Sequence, residues 1–247
     1  MQRLRHSHAS AQTKVEIDGI WYNLIAETKQ AEVTFKSSSS SENKNEYTGS
    51  ITIPATVNYE GDDYSVTSIG SYAFYKCTSL TTITLPEGVT SIESCAFFSC
   101  TSLTSITIPE GVTSIEERTF YGCESLTAIV LPKNLREIGS QAFADCNELL
   151  DVYCYAESVP WAEANAFDGS YPEYATLHVP ASVLNTYKTT APWNSFGTIV
   201  ALTEKEMSIE QLTSDKSLLI IYELSGRRVE KAEKGIYIIN GKKTIVK

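Results

Sequence analysis

Histidine, methionine and tryptophan are scarce in this 247-residue chain, at three, two and three residues. No apolar run approaches the roughly 18 residues a membrane span needs, so no membrane span is expected. A Gly-rich phosphate loop and a nucleophile elbow are both missing. A zinc site would need a CxxC pair or a histidine partner, and the sequence supplies neither. Neither a metal nor another cofactor is therefore expected. Net positive charge is missing too: 20 Lys and Arg stand against 30 Asp and Glu, a formal charge of −10, which argues against nucleic acid as the partner. The charge is uneven, because residues 226–247 carry seven basic residues against two glutamates. That asymmetry points to a separate C-terminal module.

These gaps bear on catalysis. His6 and His8 lie in the N-terminal tail, which leaves His178 alone in the folded part. Between Leu177 and Val179 it reads as a strand residue pointing away from the core, and no serine and carboxylate pair is singled out beside it. Glu87, Glu110, Glu116 and Glu117 imitate the paired acids of a glycosidase, but they sit in turns and recur with the sequence period described next, which makes them solvated turn charges. No enzyme is expected.

What the chain has in abundance is self-similarity. Isoleucine recurs at Ile69, Ile92, Ile115 and Ile138, and phenylalanine at Phe74, Phe97, Phe120 and Phe143. Cysteine recurs at Cys77, Cys100, Cys123 and Cys146, and leucine at Leu80, Leu103, Leu126 and Leu149. Every spacing is 23 residues. Ile83, Ile106, Ile129 and Val152 follow, and Pro86, Pro109 and Pro132 close three units, where a missing N–H ends a strand. The pattern predicts a leucine-rich-repeat solenoid: a short strand, a Glu-Gly-Val turn in which Gly88 and Gly111 supply backbone freedom, and one helical or 3₁₀ turn at Ala-Phe-x-x-Cys. No unit buries its apolar side chains alone, so stacking must do it. Ser50–Pro54 reads as a half-unit strand at the start, and Tyr187, Trp193 and Phe196 as aromatics covering the end.

Two readings of the cysteines are open. A disulfide framework suits an exported protein. Four of the six, however, hold one equivalent repeat position and should stack as a ladder of small buried thiols, which is the favoured reading. Strand alternation predicts an outward face made of Thr82 and Thr84, Ser105 and Thr107, Ala128 and Val130, and Asp151 and Tyr153. This hydroxyl-rich strip grows in size and polarity toward the C-terminal end. It is a candidate binding surface, although threonine is also simply a good exposed-strand residue. Tyr75, Phe98 and Tyr121 form a second candidate, an aromatic stripe for glycan or protein contact, against which stands ordinary packing between units.

The motif I-G-S-x-A-F-x-x-C-x-S-L-T-x-I-x-L-P-x-G-V resembles the BspA-like leucine-rich-repeat family of bacterial surface proteins, over roughly Ile51–Leu202. Val15–Tyr22 and Ala31–Phe35 look like the β-hairpin that caps the family's arrays. Ile221–Val229 followed by Lys234–Lys243 resembles the C-terminal sorting domain of type IX secretion cargo, with Ser225-Gly226 and Asn240-Gly241 as turns. The expected layout is a tail or signal-peptide remnant over 1–13, an N-terminal β cap over 14–49, the solenoid with its C-terminal cap over 50–204, and a sorting-domain-like β tail over 205–247. The resemblance implies an exported, non-enzymatic adhesion module that binds host matrix or cell-surface proteins. The alternative is a glycan-binding accessory of surface polysaccharide uptake.

Overall fold

The computed structural model describes residues 12–37, 39, 46–203, 221–223, 228–229, 235–239 and 242–246. Residues 1–11 of the expected N-terminal tail and both turns of the sorting-domain-like segment lie outside the described residues, while Gln12 and Thr13 belong to the first strand. The chain divides into two units, Met1–Ala201 and Leu202–Lys247.

The first unit opens on β1 (Gln12–Ile17), β2 (Ile20–Ile25) and β3 (Gln30–Thr34), an antiparallel meander. Asp18 and Gly19, at φ 50° and 82°, make its first turn, the left-handed pair that matches strand twist. The cap is more than a hairpin, because β3 pairs in parallel with a later strand of the array. After β4 (Gly49–Thr52), the hairpin of β5 (Thr56–Tyr59) and β6 (Asp62–Ile69) supplies that partner.

From there the chain winds. The long strands β7 (Leu80–Thr84), β9 (Ser105–Thr107), β11 (Ala128–Leu131), β13 (Asp151–Cys154), β15 (Thr176–Val179) and β16 (Thr198–Ala201) follow β4 in a seven-stranded parallel sheet. Between them, β10 (Ser114–Ile115), β12 (Glu137–Ile138) and β14 (Trp161–Ala162) form a parallel three-stranded sheet, and β8 (Ser91–Ile92) pairs in parallel with β6, short strands that the repeat's core pattern does not mark. Helix α1 (Leu184–Thr189) sits in the closing segment.

The 23-residue period is visible as hydrogen bonding. The expected helical turn is realised as a run of tight turns, with N–H groups of Ala96, Phe98 and Cys100 donating to Glu93, Cys95 and Phe97. The intervening N–H groups of Cys95, Phe97 and Ser99 donate forward, to Glu117, Thr119 and Tyr121 of the next unit. Left-handed residues at Cys95 and Ser99 (φ 58° and 53°) aim these groups at the neighbour, and Arg118 and Gln141 repeat the geometry at 53° and 54°. A column of threonines adds side-chain rungs: Thr81, Thr104 and Thr127 donate back to the carbonyls of Gly49, Thr81 and Thr104 at 3.0, 3.3 and 3.2 Å. Gly88 and Gly111 do not occupy the left-handed region expected of them. Space selects them instead, since a Cβ would lie 3.3 Å from Val66 O at Gly88 and 3.0 Å from Val89 O at Gly111.

The core is a pair of ladders. Phe74, Phe97, Phe120, Phe143 and Phe167 stack with centroids 5.0–5.4 Å apart and planes within 9°. Tyr47 meets the first ring at 52°, and Trp193 and Phe196 meet the last at 60° and 80°, so each end is closed by a ring turned out of the stack. Beside it, the thiols of Cys100, Cys123 and Cys146 donate to the carbonyls of Phe74, Phe97 and Phe120 at 3.0–3.2 Å. All six cysteines are free and buried.

Burial pushes these thiols up, Cys77 and Cys154 to about 11 and Cys146 to about 12, from an ordinary 9.0. Unfolded thiols lose their protons first, so the folded state binds more protons in that window. Stability is therefore full below about pH 9 and is lost as pH rises toward 11–12. Melting temperature measured from about pH 7 to 11 should be flat at first and fall above about 9; a flat profile throughout would contradict the buried thiol ladder.

The second unit contains a four-stranded antiparallel sheet. Its order is β18 (Arg228–Val229), β17 (Ile221–Glu223), β19 (Gly235–Ile239), β20 (Lys242–Val246).

Candidate functional site

Alternation in the long strands sends Ile83, Ile106, Ile129, Val152 and Leu177 inward, where each is buried. It turns every expected face residue outward. Thr84, Ser105 and Thr107 are exposed, and Thr82, Ala128, Val130, Asp151 and Tyr153 are half-buried. In-register pairing aligns them in two rows. One runs Ser50, Thr82, Ser105, Ala128, Asp151, Thr176, Thr198. The other contains Thr107, Val130, Tyr153, His178 and Val200.

The chemistry of the face changes along these rows. Its N-terminal half is hydroxylic, with Ser50 and Thr82 hydrogen-bonded at 2.5 Å. From β11 onward the second row becomes Val130, Tyr153, His178, Val200, bulky and mostly apolar. Tyr153 and His178 stack with centroids 4.3 Å apart and planes at 19°. Asp151 Oδ1 lies 3.0 Å from His178 Nε2, which orients the imidazole and leaves the histidine side chain only 14% exposed. The sequence placed His178 outward but missed this partner. Asp151 pairs with Thr176 in register, so His178 is its diagonal neighbour two residues further on, and only the alignment of an irregular final unit could have revealed it. β16 was missed as well, although Thr198-Ile199-Val200 alternates.

Tyr75, Phe98 and Tyr121 are brought together as the sequence period expects. Their rings stack at 5.0 and 4.8 Å. Tyr72 meets Tyr75 edge-on at 5.5 Å, and Lys76 Nζ sits 5.1 Å from the Tyr75 centroid. The side-chain hydrogen bond from Tyr121 to Asp145 raises the phenol above its usual range. Stacking within the stripe thus occupies both faces of Phe98 and one face each of Tyr75 and Tyr121.

The core residues Ile69, Ile92, Ile115 and Ile138, with Leu80, Leu103, Leu126 and Leu149, are all buried. Large exposed apolar side chains fall elsewhere, at Leu150, Trp161, Tyr171 and Tyr174, all in or beside the last turn of the array. The period could not flag the last three, because they sit in its irregular insert. Among the described residues no group of His, Cys, Asp and Glu is arranged to hold a metal ion, and no helix is long and apolar enough to cross a membrane.

Residues 50–173 match the BspA type leucine rich repeat region, in six copies. A solved leucine-rich repeat protein from Bacteroides ovatus is 28% identical, with a TM-score of 0.51; the match covers 67% of this chain and 49% of that one. The present chain therefore spans about half the length of that relative. The T. pallidum leucine rich repeat protein is 21% identical, covers 81% of this chain and 96% of its own, and gives a TM-score of 0.56, a likeness of fold. No curated protein sequence matches the chain.

Proposed function

Since the chain belongs to the BspA-type leucine-rich-repeat family, we propose that it is a protein-binding module acting outside the cell, engaging a host-matrix or cell-surface protein through the outward face of its long sheet. The observation that carries this reading is the row Val130, Tyr153, His178, Val200, where a hydroxylic face gives way to bulky side chains held in place by stacking and by the Asp151 contact. Interfaces concentrate affinity in rigid aromatic anchors surrounded by smaller contacts, and this half of the sheet offers that arrangement. Parallel pairing on both sides of β11, β13 and β15 fixes the backbone that carries Val130, Tyr153 and His178, so this part of the face binds with little ordering cost. Export rests on the family resemblance. Glycan binding is less well supported, because Phe98 has both faces, and Tyr75 and Tyr121 one face each, stacked within the stripe.

The intact chain, screened in parallel against immobilised extracellular-matrix proteins and a glycan array, separates the two. Saturable binding to a protein supports the proposal. Binding to sugars alone, or to nothing on either surface, contradicts it.

A further inference from the structure

We propose a second contact site at the C-terminal cap of the solenoid: a cleft that accepts an arginine side chain from the partner protein. The cleft, of about 300 Å³, has Phe167, Tyr171, Pro172 and Pro192 among its lining residues, together with the acidic residues Asp168 and Glu173. No lining residue is cationic. Tyr171 is 53% exposed, so its ring is open to a visitor, unlike the stacked rings of the aromatic stripe.

The chemistry of this lining selects its occupant. A guanidinium is planar, stacks on an aromatic face and offers a fork of N–H donors to carboxylates, which an ammonium ion does not. The surroundings favour the same sign of charge, because residues 1–201 carry 11 Lys and Arg against 23 Asp and Glu. The loop is also held in shape before anything binds. The Gly197 N–H donates to Pro172 O at 3.0 Å. A Cβ on Gly197 would lie 1.9 Å from Glu173 O, so the residue that leads into β16 and the Pro172–Tyr174 turn are in close backbone contact. Prolines at 172 and 192 stiffen both walls. This inference rests on the protein-binding reading for the source of the arginine, and adds to it a chemical group that the partner must bring.

The test is calorimetric titration of the full chain with a capped hexa-arginine peptide, with hexa-glutamate as control. Saturable binding of the arginine peptide, declining with added salt, is expected. The paired change Asp168→Asn with Glu173→Gln, and separately Tyr171→Ala, should each weaken it about tenfold, while Tyr171→Phe restores it. An equal acidic pair elsewhere, Glu124→Gln with Glu148→Gln, should leave it unchanged, and so should Tyr153→Ala on the sheet face. Equal losses in the two acidic pairs, or no saturable binding, would overturn the site by showing only diffuse attraction. Because Tyr153 lies outside the cleft, failure here leaves the sheet-face reading to be decided on its own variants.

Discussion

Phe120→Ala is expected to destabilise the solenoid by roughly 3–5 kcal/mol, the cost of removing a fully buried aromatic and leaving its cavity. Phe120 has no solvent exposure and lies between Phe97 at 5.2 Å and Phe143 at 5.4 Å, both stacked on it face to face. Its carbonyl also accepts the Cys146 thiol, and its N–H donates to Ala142 O. These backbone contacts hold the surrounding turns in place, so the cavity cannot collapse and the full cost is realised. For a unit of this size the melting temperature should fall by about 6–20 °C. Tyr121→Ala, one residue later on the surface stripe, should cost far less, because its ring is only half-buried. A Phe120→Ala protein that melts like the parent would show the core register to be wrong.

The second large effect is expected at Gly197→Ala. A methyl group there would sit 1.9 Å from Glu173 O and 2.8 Å from Glu173 C, which are backbone atoms unable to rotate away. Either β16 or the turn before β15 must shift, at an expected cost of about 1–3 kcal/mol from overpacking. The lost strand contacts would add to it, because the Gly197 N–H bond to Pro172 and the Thr198 N–H bond to Ala175 lie at the same place. Gly19→Ala provides the contrast. Its Cβ meets nothing within 4 Å, so it bears only the strain of a left-handed alanine at φ 82°. Thermal denaturation of both variants checks the pair, and equal, small losses would contradict the close packing of the cap.

Much of this fold is legible in the sequence because the repeat makes each residue's environment a copy of its neighbour's. Ile69, Phe74, Cys77 and Leu80 define positions that recur 23 residues on, and every copy is buried. Proline within two residues of the ends of β4, β7, β9, β11 and β15 marks where the chain leaves the sheet. The short strands at Ser91–Ile92 and Ser114–Ile115 were not legible. Two residues carry no alternation, and their identity as strands lies in parallel pairing with the neighbouring unit 23 residues away. Gly88 and Gly111 were read as flexible and turn out to be small, because close approach between successive units leaves the same signature as a turn. The candidate face was legible wherever the period is regular. Beyond Tyr153 the insert shifts the spacing, so the Asp151–His178 pair and the exposed aromatics of the cap had no earlier copies to be compared with.

The sheet face is the claim on which the functional reading depends, and affinity under two matched changes tests it most directly. For whichever matrix or cell-surface protein the intact chain captures, binding is measured for Val130→Lys with Tyr153→Ala on the bulky row, and for Ser50→Lys with Thr52→Ala at the hydroxylic end. Loss of about 2 kcal/mol or more in the first pair, with the second within a few tenths of the parent, is the predicted result. Undiminished binding in the first pair, with its folding intact, would show that the partner docks elsewhere and would contradict the proposal.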